Sequence, residues 1–130
     1  MDDPIWISEE LSLAIHQRQL AEHGGLDGVR DRGLLQSALA RPRHLFAYND
    51  PTPDLPVLAA AYAFGIARNH PFLDGNKRTA AVVCETFLEL NGMNLDADDA
   101  DMYTTFLNLA AGSVSEQQLA EWLKNHSTRV

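Results

Sequence analysis

The stretch LPVLAAAYAFGIARN, residues 55–69, constrains the fold more than any other part of the chain. It is apolar almost all round and has no polar face to give to solvent. The helix it predicts must therefore sit at the centre of a packed domain. Asp54 is placed to cap its first turn, and Pro56 falls where a helix tolerates proline. A second run, RTAAVVCETFLELNG at 78–92, is again apolar on most faces and stops at Gly92. Two buried helices joined by a short loop must lie roughly antiparallel.

The rest of the chain reads as helices packed on that pair. Residues 9–22 carry Leu11, Ala14, Ile15 and Arg18 on one helical face, with Ser8 as N-cap and Gly24-Gly25 as the stop. HGGLDGVRDRG (23–33) reads as a loop. Asp31 heads a short helix, GLLQSALA, closed by Pro42. Residues 43–53 read as irregular, with Asn49-Asp50-Pro51 as turn chemistry. Asp96, Asp98 and Asp99 open a helix that runs to Ala111 and closes at Gly112, since acids suit a helix N-terminus. Ser115-Glu116-Gln117-Gln118 fits a capping box for a last helix that holds Leu119, Trp122 and Leu123. No segment alternates as a strand does. The expectation is a single all-α domain over 1–130, a compact bundle of about six helices.

Composition narrows the function classes. Ten Lys+Arg against 18 Asp+Glu leave a net charge of −8. That argues against direct nucleic-acid binding, which needs a basic face, though it leaves room for a small basic pocket. The single cysteine, Cys84, excludes an internal disulfide and a cysteine-based zinc site. No apolar run reaches the length of a membrane span. The acidic start, MDDPIW, lacks the basic region of a secretory leader, so a cytoplasmic location is expected.

The chemistry lies between the two apolar runs, in NHPFLDGNKRTA (69–80). Pro71 disfavours helical geometry at His70 and should end the first helix there. Gly75 allows left-handed backbone and close approach by a ligand. From about Asn76 the second helix begins, and its first amides have no partner within the helix. Free amides at a helix N-terminus make an anion site, here reinforced by Lys77 and Arg78. Taken singly, each residue has an ordinary explanation: His70 as a helix cap, Asp74 as dipole complement, Asn76 as N-cap, Phe72 as a core anchor, Lys77 and Arg78 as a solvated face. Cations in a first turn are mildly unfavourable, however, and an anion would offset them. Arg68 reads equally as a phosphate contact or a plain helix-end cation. Tyr62, Phe64 and Trp122 read as core or as groove. GNKRT lacks the Walker spacing and no strand precedes it. DADDAD (96–101) lacks the glycine and glutamate of an EF-hand.

The run His70-Pro71-Phe72-Leu73-Asp74-Gly75-Asn76-Lys77-Arg78 resembles the Fic/Doc motif, H-P/x-F-x-D/E-G/A-N-G/K-R. GGLDGVRDRGLLQSALARP (24–42) resembles the N-terminal region of Doc-type toxins, and FLELNGMNL (87–95) resembles their segment after the motif. The likeness spans most of the chain and implies an all-α fold. By position, it implies that His70 is the general base for a target hydroxyl. It implies that Asp74 binds Mg²⁺ held by nucleotide phosphates. It also implies that Gly75, Asn76, Lys77 and Arg78 hold those phosphates, with the Asn76 side chain assisting and Arg78 pairing as a fork.

Family members of the Fic type move AMP from ATP to a hydroxyl and usually carry glycine at the position of Lys77. Doc-type toxins carry lysine there and pass the γ-phosphate to a protein, in the best-known case elongation factor Tu. Lys77 and the Doc-like N-terminal segment favour the kinase; Pro71 and Gly75 follow the Fic form and keep AMP transfer as the alternative. A non-catalytic binding domain is the third possibility, disfavoured by the intact His70, Asp74, Asn76 and Arg78. The chain lacks the family's inhibitory string S/T-x-x-x-E-G/N. The resemblance therefore implies control by a separate small antitoxin that fills an apolar groove.

Overall fold

A computed structural model describes residues 3–130; Met1 and Asp2 of the acidic start lie outside the described residues. Helix α3, Leu55–Asn69, is the axis of the fold. Its buried residues run all round it and include Leu58, Ala59, Ala60, Ala63, Ile66 and Ala67, each at 0% exposure. Small side chains let neighbouring helices come close. Around α3 pack α2 (Arg32–Tyr48), α4 (Asn76–Leu90), α5 (Asp99–Ala111) and α6 (Glu116–His126), while α1 (Glu9–His23) lies against α4 and α2. The architecture is all-α with six helices among the described residues, as the periodicity predicts.

Capping chemistry sets most helix starts. Ser8, Asp31, Asp54, Asp98 and Ser115 each accept a hydrogen bond from an amide in the first turn that follows. At Ser115 the reciprocal bond to Gln118 completes the capping box. The phenol of Tyr62 accepts the Ile7 amide at 2.9 Å, which pins the N-terminal segment onto α3. Burial pushes the Tyr62 pKa up to about 12. Tyr62 is thus core. Phe64 is half-buried, with Arg41 and Arg68 over its ring, and Trp122 is half-buried against His126.

Three expectations change. Helix α2 does not stop at Pro42 but continues to Tyr48, so residues 43–48 are helical rather than irregular. Proline inside a helix costs about 3 kcal/mol or more through the missing amide and the ring's clash with the preceding turn. Packing offsets it: Pro42 is buried, and Leu45 and Phe46 beyond it reach the core, where Phe46 meets Trp6 edge-on. On α1 the buried face is Ser12, Ile15, His16 and Gln19, while Ala14 and Arg18 face solvent. The hydrophobic residues misplace the stripe by about one position because polar side chains occupy the buried side. Finally, Met93–Leu95 (β1) pairs antiparallel with Ser127–Arg129 (β2), Asn94 opposite Thr128. Strands this short carry no readable alternation.

Candidate active site

The loop between α3 and α4 is held by residues from three directions. His70 caps α3 in the left-handed region, φ 49° and ψ 57°. That conformation costs a non-glycine residue about 1–2 kcal/mol, and the proline that follows would favour extended backbone instead. Pro71 and Phe72 then turn inward and are buried. The carbonyl of Pro71 accepts the amides of Arg30 and Asp31, and the Leu73 amide donates to the Gly28 carbonyl. Val29 and Phe72 form an antiparallel bridge. The 23–33 segment, which reads as a plain loop, is therefore the outer brace of the motif.

From the inner side, the Asn76 amide group locks the loop to the helix that follows it. Its Oδ1 accepts the Phe72 amide and its Nδ2 donates to the Phe72 carbonyl, both at 3.0 Å. Asn76 is 8% exposed, so its side chain holds the backbone of the cradle. From beneath, Phe72 stacks on His16 of α1, with ring centroids 3.9 Å apart and planes 8° apart. The Nε2 of His16 lies 2.8 Å from the Asp74 carbonyl. A carbonyl can only accept, so that nitrogen must carry the proton. His16 is 1% exposed and is absent from the residues the sequence singles out. Its only signal is the spacing Ser12, Ile15, His16, Gln19 on a buried helix face.

The polar groups face a cleft of about 640 Å³. His70, Asp74, Gly75, Asn76, Lys77 and Arg78 all line it, so the whole set named from the sequence meets at one place. Arg68 does not; its guanidinium lies 5.7 Å from the centre of the Phe64 ring. Gly75 is left-handed at φ 76°, and no side chain caps the α4 N-terminus. The first-turn amides of α4 thus open on the cleft with the positive end of the helix dipole behind them. Lys77 and Arg78 are exposed and form no ion pair among the described residues.

The Asp74 carboxylate accepts the Leu26 amide at 3.2 Å and the Gly75 amide at 2.9 Å. These two bonds, the Leu26 amide foremost, hold its pKa below the usual aspartate value; Arg78 and His16 add smaller charge effects. Asp74 is therefore ionised at neutral pH, with lone pairs left for a cation. Gly25 comes so close that a Cβ there would sit 2.8 Å from Asp74 Oδ2. Among the described residues no group of three or more acidic, histidine or cysteine side chains could cage a metal. A divalent ion here would need the rest of its ligands from a phosphate and water, as Mg²⁺ commonly takes them.

The opposite wall comes from α5. Met102, Phe106 and Leu107 present apolar surface, and Tyr103 and Asp99 stand at the rim. The sequence marks Asp99 only as a helix start and gives no sign that this helix faces the motif. Gln19 and His23 of α1 close one end. No helix among the described residues is long and apolar enough to cross a membrane.

The sequence profile of the Fic/DOC family matches residues 6–88. Toxin Doc of Mycolicibacterium smegmatis (strain ATCC 700084 / mc(2)155) is 46% identical over 89 residues, covering 68% of each chain. Protein kinase doc of Escherichia phage P1 is 33% identical over 118 residues, covering 91% of this chain and 92% of its own. The chain belongs to the Fic/Doc family.

Proposed function

We propose that this protein is a cytoplasmic Doc-like toxin that transfers the γ-phosphate of ATP to a hydroxyl of a target protein and is neutralised by a separate antitoxin. The observation that carries the reading is the uncapped N-terminus of α4. It offers amides and two cations, Lys77 and Arg78, which form no ion pair among the described residues, to one cleft that also holds His70 and Asp74. A chain of net charge −8 with two such cations at a positive helix end is suited to bind a polyanion. The lysine at position 77 and the likeness to Protein kinase doc support γ-phosphate transfer.

In this reading the exposed His70 ring accepts the proton of the target hydroxyl. The hydroxyl oxygen bonds to the γ-phosphorus, the bond to the β-phosphate oxygen breaks, and ADP leaves. Arg78 and the amides of α4 stabilise the charge on the phosphates, which is most of what phosphoryl transfer asks of a protein. Asp74 suits a Mg²⁺ ion carried by the nucleotide; when bound, that ion supplies further neutralisation of phosphate charge. The Asn76 side chain serves by holding Phe72, and its backbone amide belongs to the phosphate cradle. Elongation factor Tu is the candidate target.

Pro71 and Gly75 favour a second reading, in which the α-phosphorus is attacked, AMP is transferred and pyrophosphate leaves. ATP labelled separately at its α and γ phosphates separates the two, with Mg²⁺ and cell extract as the acceptor source. Label entering protein from the γ position alone is expected. Label from the α position alone would establish AMP transfer and overturn the kinase. His70→Ala should abolish either signal, and full toxicity of that variant in cells would sink both enzyme readings.

A further inference from the structure

We infer that Arg30 is a positioning residue that selects the conformation of His70. The inference rests on His70 being the base. The Arg30 side chain donates Nε–H to the His70 carbonyl at 2.7 Å and an Nη2–H to the Asn69 carbonyl, also at 2.7 Å. One planar guanidinium thus grips two successive carbonyls where α3 ends, the geometry for which an arginine fork is suited. The positive charge also meets the negative end of the helix dipole.

His70 is the only non-glycine residue with positive φ among the described residues. As the residue before Pro71 it is steered away from right-handed helix and towards extended backbone. Extended backbone would swing its carbonyl away from that of Asn69 and turn the imidazole out of its present direction over the cleft. At the end of α3 the His70 amide donates to the Ile66 carbonyl at 3.2 Å, the bond that accompanies a left-handed helix cap. The paired grip of Arg30 adds to it, because the left-handed turn brings the His70 carbonyl to the guanidinium that also holds the Asn69 carbonyl. Arg30 is itself exposed and does not line the cleft, so it acts through His70 and not on substrate. Its backbone amide, bonded to the Pro71 carbonyl, keeps the brace in place whatever the side chain.

The test compares wild type with Arg30→Met, Arg30→Lys and His70→Ala. Labelling of extract protein from γ-labelled ATP with Mg²⁺ is titrated in ATP, and the backbone carbon chemical shifts of His70 report its conformation. For Arg30→Met the maximal rate should fall by about 10–100-fold, the scale of a misplaced catalytic group. The KM for ATP should stay within about twofold, since the phosphate cradle is untouched. The His70 shifts should move from the left-handed to the extended range, and Arg30→Lys should restore part of the rate. Left-handed His70 shifts with an undiminished rate in Arg30→Met overturn the proposal, as does a rise in KM alone. If wild type transfers no label from γ-labelled ATP, the kinase reading has failed, and the His70 shifts still decide whether Arg30 sets the conformer.

Discussion

Replacing Asn76 by alanine tests whether one amide side chain holds the motif together. The change removes both hydrogen bonds to the Phe72 backbone. Phe72 is 1% exposed, so water cannot readily take over either bond. A buried amide or carbonyl without a partner costs about 1–3 kcal/mol, and the pair should cost about 2–4 kcal/mol once the loop relaxes. Better helix propensity returns less than about 1 kcal/mol. For a chain of 130 residues the entropy of unfolding is about 0.27 kcal/mol/K, so the net loss of about 1–4 kcal/mol should lower Tm by about 4–15 °C. Thermal unfolding followed by circular dichroism measures this, and hydrogen exchange at the Phe72 amide should accelerate in parallel. Asn76→Asp keeps an acceptor for that amide but sets a carboxylate against the Phe72 carbonyl, so it should fall between alanine and wild type. A drop in Asn76→Ala of less than about 3 °C would refute the reasoning, because it would mean that water or the loop satisfies Phe72 without Asn76.

Other expectations follow from packing and charge. A Cβ at Gly65 would sit 3.0 Å from both Cα and Cβ of Ala38, where α2 packs on α3. Gly65→Val should therefore lower stability by about 3 kcal/mol, read as a fall in urea midpoint at constant m-value. The Glu85 pKa is raised, first by burial and then by Glu89 and Asp99. A carboxylate raised in the folded state favours folding while protonated and loses that contribution as pH rises through its folded value. Glu85→Gln should thus raise Tm at pH 7. The gain should shrink towards zero below about pH 4, where the carboxyl is protonated both folded and unfolded. A constant gain across that range would remove Glu85 as its source.

What the sequence reveals divides along physical lines. Helix caps are local, and Ser8, Asp31, Asp54 and Ser115 announce themselves within a few residues of the amides they bind. The buried character of α3 is equally plain, because no polar face interrupts it. The residues of the 70–78 motif are contiguous, so their meeting in one cleft is readable too. What supports them is not contiguous. His16 lies 58 positions from the carbonyl it binds and Arg30 lies 40 from His70. Neither spacing leaves a periodic trace, and both side chains read as ordinary polar residues. The course of α2 through Pro42 fails for a related reason, since the burial that offsets the proline penalty comes from Trp6 at the other end of the chain segment. The apolar wall of α5 is hidden because its periodicity says that it packs and not what it faces.

The reach of these supporting contacts bears on when the cleft can form during synthesis. His70 is gripped by a side chain 40 positions earlier, its loop rests on a ring contributed by α1, and the far wall arrives only with α5. No contiguous fragment short of about residue 107 contains all of these parts. The cleft can therefore be complete only after most of the chain has been made. In the toxin reading proposed above, that order gives a neutralising partner time to be present before the cleft is complete.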